Sequence, residues 1–192
     1  MNQITEIDEI YNVTKTKKIY IVVTHSRTNL SKIIKHYLRS EFSHVSISLD
    51  IELERMYSFG RLHPYNPFRG GFVHEQINTG TFKRFSKTTS KVYSIDITEQ
   101  QYEKVESIIA SFIEHKYDYR FNVPGLLGVV INKKIHPKKA FFCAEFVKYV
   151  LETAGIENNL PSIPKPDDFK FLEGNVLIYK GILRKYTYSE NN

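Results

Sequence analysis

Hydrophobic and polar residues alternate along several short stretches of the chain, a pattern typical of β-strands. The clearest stretch is 44–50, where Val45, Ile47 and Leu49 share one face while His44, Ser46 and Ser48 share the other, so the pattern predicts a half-buried strand. A run of β-branched and aromatic residues at 18–24 predicts a buried strand. Further strands are predicted at 56–59 (pairing as a hairpin with the stretch at 44–50), 72–77, 81–85, 92–97, 176–179 and 182–186.

Three other stretches carry hydrophobic residues at three- and four-residue spacing, which predicts amphipathic helices. The first begins near Asn29 and ends near Ser40. The second follows a capping box of Thr98 and Gln101 and continues to 113. The third begins near Cys143, and its apolar stripe stops before Gly155.

Glycine, proline and asparagine mark the connections between these elements. Residues 60–71 are rich in all three and are predicted to form a loop, and the prolines between 161 and 166 predict a stiff one. Residues 117–135 fit no single element. The pattern as a whole predicts the α+β class, with an antiparallel sheet of five or six strands and the helix at Cys143 packed against it.

Length and composition indicate one globular domain over residues 1–192, with 1–17 as a flexible N-terminal segment. The 192 residues are 41% hydrophobic and 14% aromatic, enough to build one sizeable core. Neither a signal-peptide core nor an apolar run of membrane-spanning length is evident in the sequence, so we expect a cytoplasmic location and no transmembrane segment.

The charge and cysteine content narrow the classes of partner. A net charge of +6 predicts weak attraction to polyanions, but the lysines are scattered and no nucleic-acid-binding motif is present, so specific nucleic-acid binding is not expected. The one cysteine excludes an intramolecular disulfide and a four-cysteine zinc site. We expect no metal or organic cofactor.

Cys143 is the most informative residue of the chain, because its thiol is predicted to lie in the first turn of a helix. Unpaired backbone N–H groups and the positive end of the helix dipole favour a thiolate there, so Cys143 is a candidate nucleophile. The alternative is a small buried hydrophobic residue, since free cysteines are commonly buried.

A nucleophilic cysteine needs a base, and histidine serves that role near neutral pH. Of the seven histidines, His44 is the first candidate because it begins a strand on a polar face. His25, at the end of the first predicted strand, is the second.

Two short motifs resemble a known family. Phe42-Ser43-His44-Val45-Ser46-Ile47 on a strand, followed about a hundred residues later by Phe142-Cys143-Ala144-Glu145-Phe146-Val147 on a helix, is similar to the circularly permuted papain-like amidases, the YiiX/YaeF-like relatives of the NlpC cell-wall peptidases. In that family the histidine strand precedes the cysteine helix, the reverse of the order in papain. The resemblance covers roughly residues 18–155 as an order of elements.

The resemblance implies a circularly permuted papain-like, NlpC-like fold and assigns roles to individual residues. Cys143 would be the nucleophile and His44 the base, with a third polar residue on a following strand to orient the imidazole. Ser58 occupies the nearest position, and Glu75 from the next segment is the alternative. Glu145 projects from a different helix face than Cys143, so a structural role is expected for it.

The implied function is that of a thiol hydrolase, an amidase, peptidase or esterase that acts through an acyl-enzyme. Its substrate would be an amide or ester in a peptide, a cell-wall fragment or a lipid. Two alternatives stay open: a thiol acyltransferase that uses the same site, and a non-catalytic basic module that binds a partner through the loop around Tyr65 and Phe68. The sequence does not determine the oligomeric state.

Overall fold

The computed structural model describes residues 16–26, 40–63, 65–125, 131, 133, 135 and 137–188. Its main feature is a six-stranded antiparallel sheet in the order β4-β3-β2-β1-β5-β8. The strands of this sheet are β1 (Thr16–His25), β2 (His44–Ser48), β3 (Met56–His63), β4 (Asn66–Glu75), β5 (Thr89–Thr98) and β8 (Asn175–Ile182). A separate parallel pair consists of β6 (Arg120–Phe121) and β7 (Ala140–Phe141).

Among the residues that the structure describes, the helices with both ends defined are α1 (Gly80–Arg84), α2 (Glu99–Glu114) and α3 (Cys143–Thr153), followed by two 3-10 helices, Pro166–Phe171 and Leu183–Lys185. The α+β class, the antiparallel sheet and the packing of the cysteine helix on that sheet are therefore confirmed. The Thr98–Gln101 capping box is present at the start of α2, and Gly155 follows α3 with a φ of 75°. The helix predicted at 29–40 falls largely outside the described residues, as does most of the segment 1–17.

The main hydrophobic core lies between one face of the sheet and helices α2 and α3. Val45, Ile47 and Leu49 of the histidine strand point into this core, as the alternation predicts. Aromatic rings fill its centre, where Phe59 packs at 5.3 Å from both Phe141 and Phe146. This packing fixes the start of α3 against β3.

A second, smaller core covers the opposite face of the sheet, which corrects the prediction that β2 is half-buried. Its buried members are Tyr20, Val22, Leu53, Met56, Phe82, Val92 and Leu183. Ser46 and Ser48, predicted to lie on an exposed face, are both 0% exposed. Because buried hydroxyls require partners, this face holds polar contacts as well as apolar ones.

Three local predictions were wrong. Residues 60–71 form the ends of a β3–β4 hairpin rather than a loop, and the glycines there permit close packing, since a Cβ on Gly70 would lie 2.8 Å from Phe121. Residues 81–85, predicted as a strand, form all of α1 after its first residue together with its C-cap Phe85, and the buried side chain of Phe82 anchors the helix. Of the two predicted closing strands, 176–179 lies within β8, which continues through Gly181 to Ile182, whereas residues 183–185 of the second form a 3-10 helix.

Among the residues that the structure describes, none of the helices combines the length and apolar character needed to cross a membrane.

Candidate functional site

Cys143 is the first residue of α3, and the small β6–β7 pair places it there. Phe142 has the extended backbone of an N-cap, and the first intrahelical bond runs from the Phe146 N–H to the Phe142 carbonyl at 3.0 Å. The N–H groups of Cys143 and Ala144 therefore have no acceptor within the helix. The sulfur consequently lies at the end of the helix where the dipole favours negative charge.

A buried asparagine and a glutamate hold this helix start in place. Asn122 is 0% exposed, and its Nδ2 donates to Glu145 Oε2 at 3.0 Å and to the Ile135 carbonyl at 2.9 Å. Glu145 Oε2 also accepts the backbone N–H of Phe142 at 3.1 Å. Glu145 thus makes the structural contacts expected of it, while the role of Asn122 was not predicted from the sequence.

His44, the first residue of β2, lies close enough to Cys143 for the cysteine to raise the pKa of its imidazole. The segment before His44 is also fixed, because Asp167 accepts the backbone N–H groups of Glu41 and Phe42 at 2.7 and 2.9 Å. His25 neighbours the site, with its Nδ1 at 3.2 Å from the hydroxyl of Ser43. Of these two histidines, His44 is the one whose imidazole interacts with Cys143.

Glu75, at the end of β4, contacts the other side of the imidazole. Nε2 of His44 donates to the two carboxylate oxygens of Glu75 at 3.0 and 3.1 Å. This arrangement leaves Nδ1 as the ring nitrogen for the sulfur. A third contact fixes the carboxylate, because the hydroxyl of Ser46 donates to Glu75 Oε2 at 2.6 Å.

Ser58, predicted at the third position, lies elsewhere. Its buried hydroxyl donates to the backbone carbonyl of Val45 at 2.6 Å, so it pairs with the main chain of the neighbouring strand. The residue that contacts the imidazole is Glu75, which the sequence offered as the alternative. The Ser58 hydroxyl donates its proton to the Val45 carbonyl, whereas the longer side chain of Glu75 reaches His44 from β4.

Ser46 is a site residue that sequence reasoning missed. The signal for it was present, since Ser46 shares the polar face of β2 with His44 at a spacing of two residues.

The surroundings of His44 favour its protonated form. Burial lowers the pKa of His44, but the negative charge of Glu75 and the hydrogen bonds with Cys143 and Glu75 outweigh burial and raise the pKa from 6.5 to about 10. The ring is therefore an imidazolium at neutral pH. Its side chain is 21% exposed and that of Glu75 is 12% exposed, while Cys143 is 7% exposed.

Gly60 provides space beside the ring. A Cβ at this position would lie 3.4 Å from Cε1 of His44 and 3.6 Å from Oε1 of Glu75. The hydrogen of glycine therefore leaves a gap next to the His44–Glu75 pair.

This arrangement can support acid–base and nucleophilic chemistry by side chains alone. Within the described ranges, no group of three or more His, Cys, Asp and Glu side chains is placed to hold a metal ion. The contacting set consists of a thiol, an imidazole, a carboxylate and the serine hydroxyl that orients the carboxylate.

No protein-family model matches this sequence, and no curated protein matches it.

Proposed function

We propose that this chain is a cysteine hydrolase that cleaves an amide or ester bond through an acyl-enzyme on Cys143. The observation that carries the proposal is the position of His44, whose ring contacts Glu75 at 3.0 Å and lies close enough to Cys143 for the cysteine to raise the pKa of the imidazole. A nucleophile, a base and a group that orients the base form the arrangement used in acyl transfer.

The proposed acylation step begins from a thiolate and an imidazolium. The Cys143 sulfur attacks the carbonyl carbon of the substrate, and the carbonyl π electrons move to oxygen to give a tetrahedral oxyanion. The C–N or C–O bond then breaks, and the leaving group takes the proton from His44. The products of this step are a thioester on Cys143, a neutral imidazole and the free amine or alcohol.

In the proposed deacylation step, His44 accepts a proton from water while the water oxygen attacks the thioester. Collapse of this second tetrahedral species releases a carboxylic acid and returns the sulfur as thiolate beside the imidazolium. If an amine or a hydroxyl replaces water, the same steps describe an acyltransferase. The two outcomes differ only in the acceptor.

The start of α3 supplies a donor for the oxyanion in this scheme. The backbone N–H of Cys143 has no acceptor within the helix and belongs to the same residue as the nucleophilic sulfur. Donors of this type stabilise the charge that develops during attack.

The element order supports the resemblance to the circularly permuted papain-like amidases. The histidine strand β2 precedes the cysteine helix α3 in the chain, and α3 packs against β2 and β3. We propose the permuted papain-like arrangement as the family of this fold on those grounds.

Alkylation of Cys143 by iodoacetamide tests the reactive state of the thiol. We expect the wild-type protein to react faster than N-acetylcysteine at slightly acidic pH, because a thiol without a partner is then almost wholly protonated. The variant His44→Ala should lose at least about tenfold in rate, since a thiolate without its imidazolium is less favoured. The exposed residue His63 provides a matched control in His63→Ala. Equal, slow rates in the wild type and in His44→Ala would exclude the proposal.

A chromogenic ester tests the acyl-enzyme. With p-nitrophenyl acetate, we expect a burst of p-nitrophenolate equal in amount to the protein and absent from Cys143→Ser. Adding hydroxylamine or a simple alkylamine then shows whether the acyl group passes to water or to an amine. A protein that shows neither a burst nor turnover with esters and amides, and that is unchanged by Cys143→Ser, would support the non-catalytic binding module instead.

A further inference from the structure

The turn of the β3–β4 hairpin and the end of the short helix α1 lie against each other through a stacked cation. The guanidinium of Arg84, the last residue of α1, lies 3.8 Å from the centre of the Tyr65 ring at the hairpin turn. It also lies 5.4 Å from the centre of the ring of Phe85, the C-cap of the same helix. Such cation–ring contacts hold the two elements side by side and present one common surface to solvent.

Exposed basic side chains lie along this surface. Lys83 and Arg84 end α1, and Lys87 follows in the turn after it. Arg69 lies in β4, close to the hairpin turn. All four side chains are exposed, and none of them takes part in an ion pair within the described part of the chain.

The positive charge of the chain is concentrated in the segment that builds this surface. Residues 56–95 contain six lysines and arginines and one acidic residue, so they contribute +5 of the net charge of +6. The acidic residue is Glu75, which is mostly buried and contacts His44 and Ser46. Of the six basic residues, Lys91 is paired with Glu41 at 3.0 Å and is not part of the surface. The charge at the hairpin turn therefore attracts polyanions.

Two large apolar side chains project among these cations. Tyr65 is 79% exposed, and Leu62, three residues earlier in the hairpin, is 50% exposed. We refer to the set as the hairpin surface, which consists of Leu62, Tyr65, Arg69, Lys83, Arg84 and Lys87. Apolar and aromatic side chains surrounded by lysine and arginine are the composition of segments that lie in the interface of a membrane.

We propose that the hairpin surface binds an anionic lipid membrane, with Leu62 and Tyr65 entering the interface and the four cations contacting the lipid phosphates. Charge complementarity identifies the partner as anionic, and the exposed leucine favours a bilayer over a nucleic acid. Tyrosine can stack on a base, whereas leucine gains free energy chiefly by leaving water for an apolar environment. The inference goes beyond the proposed function and rests on charge and exposure alone.

Co-sedimentation of the full chain with vesicles tests this proposal. We would compare vesicles of phosphatidylcholine alone with vesicles that also contain phosphatidylglycerol. We expect the protein to pellet with the anionic vesicles, and the bound fraction to fall as salt is added, because salt screens the attraction. Equal binding to both kinds of vesicle would overturn the proposal, and so would binding to a DNA duplex without binding to anionic vesicles.

Single substitutions test the contribution of each kind of side chain. Lys83→Gln and Arg84→Gln should each weaken partition into anionic vesicles about fivefold, the effect of one cation near the surface. Leu62→Ser should weaken it at least about threefold through lost apolar contact. The matched controls Lys104→Gln and Phe171→Ser remove an exposed cation and an exposed ring from elements on the opposite face of the sheet from α1, and should bind as the wild type does. Losses in the controls equal to those in the three variants would overturn the proposal.

A fluorescent reporter locates the surface that meets the lipid. The chain contains no tryptophan, so one that is introduced reports from a single position. In Tyr65→Trp, anionic vesicles should shift the emission to the blue, and lipids with brominated acyl chains should quench it, because the ring enters the interface. Phe171→Trp should show neither change. Unchanged emission from Tyr65→Trp in a protein that pellets with the vesicles would overturn the assignment of the hairpin surface.

Vesicle binding and thiol chemistry can be separated with Cys143→Ser. This variant should pellet with anionic vesicles as the wild type does, since Cys143 is buried at the start of α3 and is not part of the hairpin surface. Vesicle binding by a protein whose Cys143 is unreactive would leave the membrane surface standing and remove the hydrolase. A reactive Cys143 in a protein that ignores anionic vesicles would do the reverse.

Discussion

Both carboxylate oxygens of Glu75 lie within hydrogen-bonding distance of Nε2 of His44, at 3.0 and 3.1 Å. The two residues are separated by 31 positions in the chain and meet because β2, β3 and β4 are neighbours in the sheet. A carboxylate in this position fixes the ring orientation and stabilises the imidazolium. A serine would orient the ring without supplying the charge.

The first prediction concerns stability against pH in Glu75→Gln. The pKa of His44 is raised from 6.5 to about 10, so its contribution to stability is complete below pH 6.5 and is lost as the pH rises towards 10. We expect the free energy of unfolding of the wild type to fall across this window, by no more than about 1.4 kcal/mol per pH unit. The fall should be shallower in Glu75→Gln, as measured by urea denaturation at several pH values.

The comparison of the two proteins should stop at about pH 10, because buried tyrosines affect the stability above that pH. Burial raises the pKa of Tyr20 and of Tyr186 to about 12, so these residues add a further loss of stability only above pH 10. The wild type and Glu75→Gln share that loss. Identical slopes for the two proteins between pH 6.5 and 10 would contradict the assigned role of Glu75.

The second prediction compares two buried serines on adjacent strands. Ser46→Ala removes the 2.6 Å hydrogen bond to Glu75 and should slow alkylation of Cys143 several-fold, because the carboxylate is then less well oriented. Ser58→Ala removes a bond of the same length to the Val45 carbonyl and should leave the rate within about twofold. Both variants should lose about 1 kcal/mol of stability. A larger rate loss in Ser58→Ala than in Ser46→Ala would restore Ser58 as the third residue.

The sequence predicted those parts of the site that depend on local secondary structure, but not those that depend on contacts between strands. Cys143 at the start of a helix and His44 at the start of a strand follow from periodicity, and the structure brings the two together. The contact between His44 and Glu75 depends on the register of three strands and on side-chain length, which no local pattern contains. The family resemblance suggested Ser58 as the third residue, but its hydroxyl donates to the backbone carbonyl of Val45.

The fold was predictable to a similar extent. The strands β1 and β5 and the helices α2 and α3 have strong periodic patterns, and all of them were located from sequence. The hairpin at 60–71 was missed because its glycines resemble loop residues, although Gly70 is required by the close approach of Phe121. The short helix α1 was missed because a single buried side chain, Phe82, holds it in place.

The third prediction concerns the asparagine that holds the start of α3. Asn122→Ala should lower the free energy of unfolding by about 2 to 3 kcal/mol, because Glu145, the Ile135 carbonyl and the Gly125 N–H each lose a partner in a buried setting. Chemical denaturation measures this loss. Asn159→Ala is the matched control, since Asn159 is exposed and its Nδ2 donates to the Phe171 carbonyl at 3.0 Å. Equal losses in the two variants would contradict the anchoring role of Asn122.

The last prediction concerns Asp167, which fixes the segment that leads into the histidine strand. Burial raises the pKa of Asp167, but the backbone N–H groups of Glu41 and Phe42 and the side chains of Ser40 and Lys170 outweigh burial, so the pKa lies below its ordinary 3.8. A lowered pKa means that the stability is present above pH 3.8 and is lost as the pH falls below it. Asp167→Asn should therefore cost about 1 kcal/mol at neutral pH, because the amide presents an NH₂ group to one of the two backbone donors. When urea denaturation is repeated in acid, the difference in the free energy of unfolding between the wild type and Asp167→Asn should shrink. The control is Asp96→Asn, which removes an exposed partner of Lys18 and should change the free energy of unfolding far less. An equal loss in Asp96→Asn would show that the loss of a negative charge accounts for the effect of Asp167→Asn, and not the loss of the two backbone contacts.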